Sequence, residues 1–289
     1  MEDNNLGLAE DLLELEGIEE ARRLLNSTYI YKDGVLPLPR VTEIIKNCRD
    51  STWLVQLAAR VGYKFNKYSD DAKAIGTYVH SYIDEYLIAK FINKNLSKFK
   101  ISDDIDEQYR PKVIKAVNNF LAWENNLNMM GYRIEEVVGL EITVSCPWYA
   151  GTIDAIMKIN GAYYIIDFKT SKEISYEYLI QASAYMWIIN NGYTPELPHI
   201  DGIGIIRVDK VYNKFEDYFL NLFSESDAYF LYRLQEAFIS YVNTYYRNMN
   251  ILYLYNTNRK EYNILSVLES KGDIDNGYRN NDQGTQKAS

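Results

Sequence analysis

The sequence predicts an α/β or α+β domain around one mixed β-sheet. Three observations carry that reading. Helical patterns come first along the chain. A meander of segments rich in Val, Ile and Tyr follows, at 133–145, 151–159 and 162–169. A helix, a further strand at 201–208 and a long helix then close the order.

Each element has its own warrant. Residues 6–25 set Leu6, Leu12, Leu13, Ile18, Leu24 and Leu25 among acids, the pattern of an amphipathic helix. The stretch 31–40, "YKDGVLPLPR", is rich in turn residues. Residues 41–62 read as helical with a break near Asp50. Residues 70–93 form a strong helix with Tyr78, Ile83 and Leu87 on or near one apolar stripe. A helix over about 107–128 follows Asp103 and Asp104. After the meander, a helix over 175–190 begins near Ser175 and is stopped by Gly192. The last helix covers about 225–248. From about 256 the chain turns polar, and 270–289 is expected to be disordered.

Composition narrows the function classes. The chain has 289 residues, 47% hydrophobic and 25% charged, an ordinary globular balance. No apolar run is long enough for a membrane helix. The acidic start "MEDNNLGLAEDLLELEG" lacks the basic region of a secretory signal. Cys48 and Cys146 are too few for a disulfide framework, a four-cysteine zinc site or an iron–sulfur cluster, and are expected to be free thiols. The net charge of −9 argues weakly against nucleic acid. Yet residues 1–24 hold eight acids against Arg22 and Arg23, so six of those nine charges lie there. The body is near neutral and can present a basic groove, and metal-binding carboxylates count as negative until a cation is bound.

The most informative stretch is 151–171, "GTIDAIMKINGAYYIIDFKTS". Asn160-Gly161 between two strand-like runs signals a hairpin with a two-residue loop. That loop pairs Ile159 with Ala162, and the same register sets Asp154 directly opposite Asp167. Alternation gives one core face, Ile153, Ala155, Met157, Ile159, Ala162, Tyr164, Ile166 and Phe168. The other face carries Asp154, Ile156, Lys158, Tyr163, Ile165, Asp167 and Lys169. Opposed like charges destabilise a sheet unless something compensates. A shared proton, the lysine or a bridging divalent cation would each serve. A cross-strand Asp–Lys–Asp network without chemistry would fit the same pattern.

Four motifs in order give the chain a specific resemblance. "GTID" (151–154) and "IIDFKTSK" (165–172) resemble the core of the PD-(D/E)XK nuclease superfamily, in its RecB-type or phage exonuclease branch. Upstream, "AIGTYVH" (74–80) is similar to that branch's Gly-Thr-x-x-His helix motif. Downstream, "YLIQASAY" (178–185) is similar to its Gln-x-x-x-Tyr helix motif. The opening "LPRVTEIIK" also resembles the start of such phage nucleases, and the likeness spans about 36–208.

The resemblance implies a restriction-endonuclease-like core, a central mixed β-sheet flanked by helices, with a helical N-terminal region. With the charge and composition of the two ends, the division expected is an acidic helical extension over 1–35, a nuclease domain over 36–255 and a polar tail over 256–289. By position, Asp154 and Asp167 would be metal ligands and Lys169 would position the attacking water. The Phe168 carbonyl would be a backbone ligand and His80 a further ligand. Gln181 and Tyr185 would support the site or the DNA. Glu141 is the expected acid of the preceding strand, with Glu135 and Glu136 as competitors. One or two Mg²⁺ or Mn²⁺ ions are implied, with His80 favouring Mn²⁺ and Asp84 orienting its imidazole. His199 has no motif around it and reads as a loop residue. "YRPKVIK" (109–115), Lys158, Lys172 and Arg207 are candidates for a DNA path, each read more readily as a solvated residue.

The function expected is a metal-dependent deoxyribonuclease, an exonuclease acting on DNA ends in phage or bacterial recombination, repair or processing. An endonuclease of the same fold is the alternative. A non-catalytic DNA-binding or virion-associated protein is the rival, and an intact Asp154, Asp167 and Lys169 set argues against it. DNA is the expected partner, a protein could dock on the acidic N-terminal helix, and the expected compartment is the cytoplasm of a bacterium or phage-infected cell. No P-loop occurs, so ATP-driven unwinding would need another protein.

Overall fold

A computed structural model describes residues 38–48, 59, 65–101 and 105–261. The acidic N-terminal helix, the second half of the 41–62 segment and the tail beyond Glu261 lie outside the described residues. The described residues up to Val242 belong to one compact unit, and those from Asn243 to a second.

The helices are α1 (Val41–Cys48), α2 (Phe65–Leu87), α3 (Arg110–Met129), α4 (Tyr176–Asn190) and α5 (Glu225–Glu261). The strands are β1 (Ile134–Ser145), β2 (Ala150–Ile159), β3 (Ala162–Lys169), β4 (Gly202–Val208) and β5 (Phe215–Asn221). They lie in the order β1-β2-β3-β4-β5. Only β3 and β4 are parallel; the other three neighbouring pairs are antiparallel. The expected mixed sheet flanked by helices is what forms.

Local sequence explains these elements. Asn160 and Gly161 take φ of 47° and 86°, the double left-handed pair of a two-residue hairpin. The Asn160 side chain also accepts from the Arg133 amide at 2.8 Å, which ties the turn to the approach of β1. Ser175 caps α4 by accepting from the Glu177 amide, and Gly192, at φ 78°, follows its end. α2 begins at Phe65 and gives way to a single π-helical turn, Ile88–Ile92. There Lys90 donates to buried Glu124 of α3 at 2.7 Å, and Tyr86 donates to the same carboxylate.

Both faces of the sheet are covered. Ile75, Val79 and Ile83 of α2 and Val113, Val117 and Phe120 of α3 cluster with Ala155, Met157, Ile166 and Phe168. α4 covers the other face, where Ile156 and Ile165 are fully buried and Gln181 reaches Asp167. The second face of the hairpin is therefore apolar through its middle and polar at both ends, with Lys158 and Tyr163 near the turn and Asp154, Asp167 and Lys169 near the open end. β5, "FEDYFLN", is the one strand absent from the sequence reading. It is an edge strand with only Leu220 buried, and its acids meet donors, Glu216 accepting from Arg207 at 2.8 Å and Asp217 from the Trp123 indole at 2.8 Å. α5 also runs on to Glu261, past the expected stop at 248 and the expected start of the tail at 256.

Candidate functional site

The hairpin keeps its expected register from Ile159↔Ala162 to Ala155↔Ile166 and stops there, one step before the acids. Asp154 and Asp167 are not a ladder pair. Instead Asp154 Oδ2 accepts the Phe168 amide at 2.8 Å, a side chain taking the place of a ladder carbonyl. Direct opposition thus gives way to a splayed strand end. Beyond that point β3 keeps its pairing with β4 to Lys169↔Arg207 and β2 keeps its pairing with β1 to Ser145↔Ala150. Phe168 itself points into the core, its ring edge-on to Phe120 at 5.5 Å and to His80 at 6.1 Å.

Asp167 is buried at 3% exposure. Its Oδ1 accepts from Lys169 Nζ at 2.7 Å and Gln181 Nε2 at 3.3 Å. Its Oδ2 is buried with no hydrogen-bond partner. Burial pushes the Asp167 carboxyl up to about 6, with Lys169 opposing the rise and Asp154 adding to it. Burial would lower the Lys169 ammonium, but Asp167 and Asp154 outweigh it and raise its affinity for the proton. That ammonium also lies 4.9 Å from the Tyr178 ring centre.

Gln181 and Tyr185 support Asp167 from behind. The Gln181 amide spans from Asp167 to the Tyr185 hydroxyl, each at 3.3 Å. Tyr185 is buried, its ring lying against Gly151. A Cβ on Gly151 would sit 2.3 Å from that ring, so the glycine of "GTID" is there to let Tyr185 pass.

His80 and Glu141 complete the group. His80 Nδ1 is 3.6 Å from Asp154 Oδ2. One ligand atom each from His80, Glu141 and Asp154 can be chosen so that all lie within 4.8 Å of one another. Glu141 adopts φ 49° between the pairs Leu140↔Ala155 and Ile142↔Ile153, a left-handed residue inside a strand. Such strain persists only where the surroundings enforce it. Of its competitors, Glu135 lies 3.9 Å from Lys158 and Glu136 pairs with Lys158 across the strands, so both belong to the hairpin's other end. Burial, then Asp154, raises the Glu141 carboxyl, with His80 opposing.

On the sequence, Asp84 is expected to orient the His80 imidazole. It makes no hydrogen bond to His80 among the described residues. Burial, followed by the charges of Glu141, Asp154 and Glu85, raises its carboxyl to about 7. It joins His80, Glu141, Lys73, Gly76, Thr77 and Ser81 around a cleft of about 430 Å³. Its helical spacing from His80 was the available signal, but only the fold brings β1 and β2 against it.

The other candidates separate from this group. Arg207 is buried at 1% exposure and held by Glu216, Asp209 and the Ser171 carbonyl, so it does not line an open DNA path. His199 is exposed in the loop after α4. Cys48 and Cys146 are free thiols outside the group, half-buried and buried.

The donor set fits a hard divalent cation. Asp154 and Glu141 offer oxygens and His80 a nitrogen; Asp167 lies outside that group of three, and its buried carboxylate oxygen without a partner is costly unless a cation or donor meets it. No protein-family model matches the chain, and no curated protein does. Among solved structures it is similar to one described as "Crystal structure of SSO0001", at 14% identity over 81% of this chain and 85% of that one, with a TM-score of 0.26. A likeness that slight carries no argument.

Proposed function

We propose that this chain is a metal-dependent deoxyribonuclease, acting as an exonuclease on DNA ends. The observation that carries the reading is the group His80, Glu141 and Asp154, whose ligand atoms can lie within 4.8 Å of one another, with the buried, unpartnered Oδ2 of Asp167, whose carboxyl feels the charge of Asp154, as a further oxygen outside that group. A divalent cation would supply the partner that this oxygen lacks.

In this reading Asp154, Asp167, Glu141, His80 and the Phe168 carbonyl hold one or two Mg²⁺ or Mn²⁺ ions, which supply Lewis acidity toward the phosphodiester when bound. Gln181 and Lys169 both bond Asp167 Oδ1, which leaves Oδ2 free to ligate. The Lys169 ammonium, kept protonated by two carboxylates, holds the attacking water and offsets charge on the phosphate. Phe168 fixes Asp154 through its amide. Tyr185 fixes Gln181. No described helix is long and apolar enough to cross a membrane, and the reading carries with it action in the cytoplasm of a bacterium or phage-infected cell.

The test is incubation with linear and with closed circular DNA in Mg²⁺, Mn²⁺ or EDTA. Degradation of linear DNA alone, absent in EDTA and in Lys169→Ala, is expected. Cutting of circles would turn the reading to an endonuclease. DNA retained without cleavage under any metal would overturn the enzyme.

A further inference from the structure

The end of the sheet that bears Lys169 carries a second feature. β3 and β4 are parallel, with Lys169 beside Arg207. The β4–β5 connection, residues 209–214, therefore leaves the sheet at the end where Asp167 and Lys169 lie. This loop is braced. Asp209 Oδ1 accepts the amides of Val211 and Tyr212 at 2.7 and 2.9 Å. The Asn119 side chain of α3 donates to the carbonyls of Asp209 and Tyr212, both at 2.7 Å. Lys115 donates to Asn213 at 2.6 Å.

The bracing holds a ring outward rather than inward: Tyr212 is 70% exposed. Lys210 lies in the same loop, and Lys112 lies on α3, the helix that supplies Lys115 and Asn119 to the bracing. Burial and then the charge of Lys112 lower the affinity of Lys210 for its proton, with Asp209 opposing. Neither lysine forms an ion pair among the described residues. Lys172 is exposed and likewise unpaired, next to Ser171, whose carbonyl Arg207 holds at 3.0 Å. Lys214, by contrast, is spent on Glu216. Lysines without an ion pair among the described residues, on the loop and on the helix that braces it, together with a ring held in water, suit an anionic ligand with a flat face.

We propose that this loop is a seat for single-stranded DNA, with Lys112, Lys172 and Lys210 meeting phosphates and Tyr212 stacking on a base. The choice of partner rests on the nuclease reading above. An unpaired base is required because a paired one offers no free face to a ring. An acidic peptide would satisfy the lysines and leave Tyr212 without a role.

The test is binding of the full chain to a fluorescent single-stranded oligonucleotide in EDTA, where no cleavage competes, across a range of salt. Tyr212→Ala is expected to weaken binding about tenfold, and Tyr212→Phe to restore it. Lys112→Gln with Lys210→Gln should lower the slope of log affinity against log salt by about 1.4. Melting temperatures within about 2 °C of the parent identify these as surface effects. Wild-type affinity and slope in all variants would overturn the proposal. Equal binding of a polyglutamate peptide, competing with the oligonucleotide, would also overturn it. Failure of the nuclease reading shows elsewhere, as a parent protein that binds the oligonucleotide through these residues and cuts no DNA in Mg²⁺ or Mn²⁺.

Discussion

Lys169 and Arg207 stand side by side on β3 and β4, and the charge around each is arranged to opposite ends. Arg207 meets Glu216 at 2.8 Å, Asp209 at 3.1 Å and the Ser171 carbonyl. Burial would raise Asp209, but the Tyr212 and Val211 amides and Arg207 pull it below the usual carboxylate range. Hydrogen bonds from Lys214 and Arg207 lower Glu216 likewise. Around Lys169 the acids are in excess. Asp167 is raised to about 6 and Asp84 to about 7, with Glu141 raised as well. The first network is complete within the protein. The second becomes complete only with added positive charge, and that separates a structural ion cluster from a candidate cation site.

The comparison can be broken first at its functional side. Lys169→Ala or Asp154→Ala should lower DNA cleavage by about a thousandfold or more. Cleavage within tenfold of the parent would remove these residues from the chemistry.

Next in size is the structural side. Arg207→Met leaves Glu216 without its buried partner and Asp209 with amides alone, and should cost about 3–5 kcal/mol in urea unfolding. A cost under about 1 kcal/mol would mean the network is ornamental.

Third, Mn²⁺ at about a hundred times its dissociation constant should stabilise the protein by about 2.7 kcal/mol. The stabilisation should be greater near pH 8 than near pH 5. Asp167 and Asp84 have raised folded values, so the stability tied to their protonated forms is present below about 4 and lost as pH rises through about 6 to 7. Asp209 and Glu216 have lowered values, so their stability is present above the usual carboxylate range and lost as acid is added. Cation-free melts should therefore fall toward both extremes, and Mn²⁺ should restore only the alkaline side.

The smallest expected effect sharpens the same contrast. Asp84→Asn removes one of the crowded charges and should stabilise the cation-free protein by about 1 kcal/mol near pH 8, after allowance for its partial exposure. The gain should vanish below about pH 4.

Much of this was legible in the sequence because short-range rules carried it. Asn160-Gly161 set a hairpin register that the strands keep as far as Ala155↔Ile166. Helical spacing put Gln181 and Tyr185 on one face, and they meet as expected. The remainder depends on contacts between elements. The register stops short of Asp154 while β3 stays with β4, a partner 38 residues away in the pairing of Tyr164 with Gly202. Ile156 and Ile165 are buried because α4 folds back over them, which alternation within the hairpin cannot reveal. β5 was missed because its acids at 216 and 217 obscure the strand pattern, and their partners, Arg207 and Trp123, come from other elements. The left-handed Glu141 and the approach of Asp84 to the carboxylates likewise need the assembled sheet and α2.

The most direct measurement is a calorimetric titration of the cation-free protein with Mn²⁺ near pH 8, beside Asp154→Ala and Arg207→Met. Saturable binding to the parent and to the folded Arg207→Met variant, lost in Asp154→Ala, is the expected result. No saturable binding to the parent, or the same binding in Asp154→Ala, would contradict the assignment of this carboxylate cluster as a cation site.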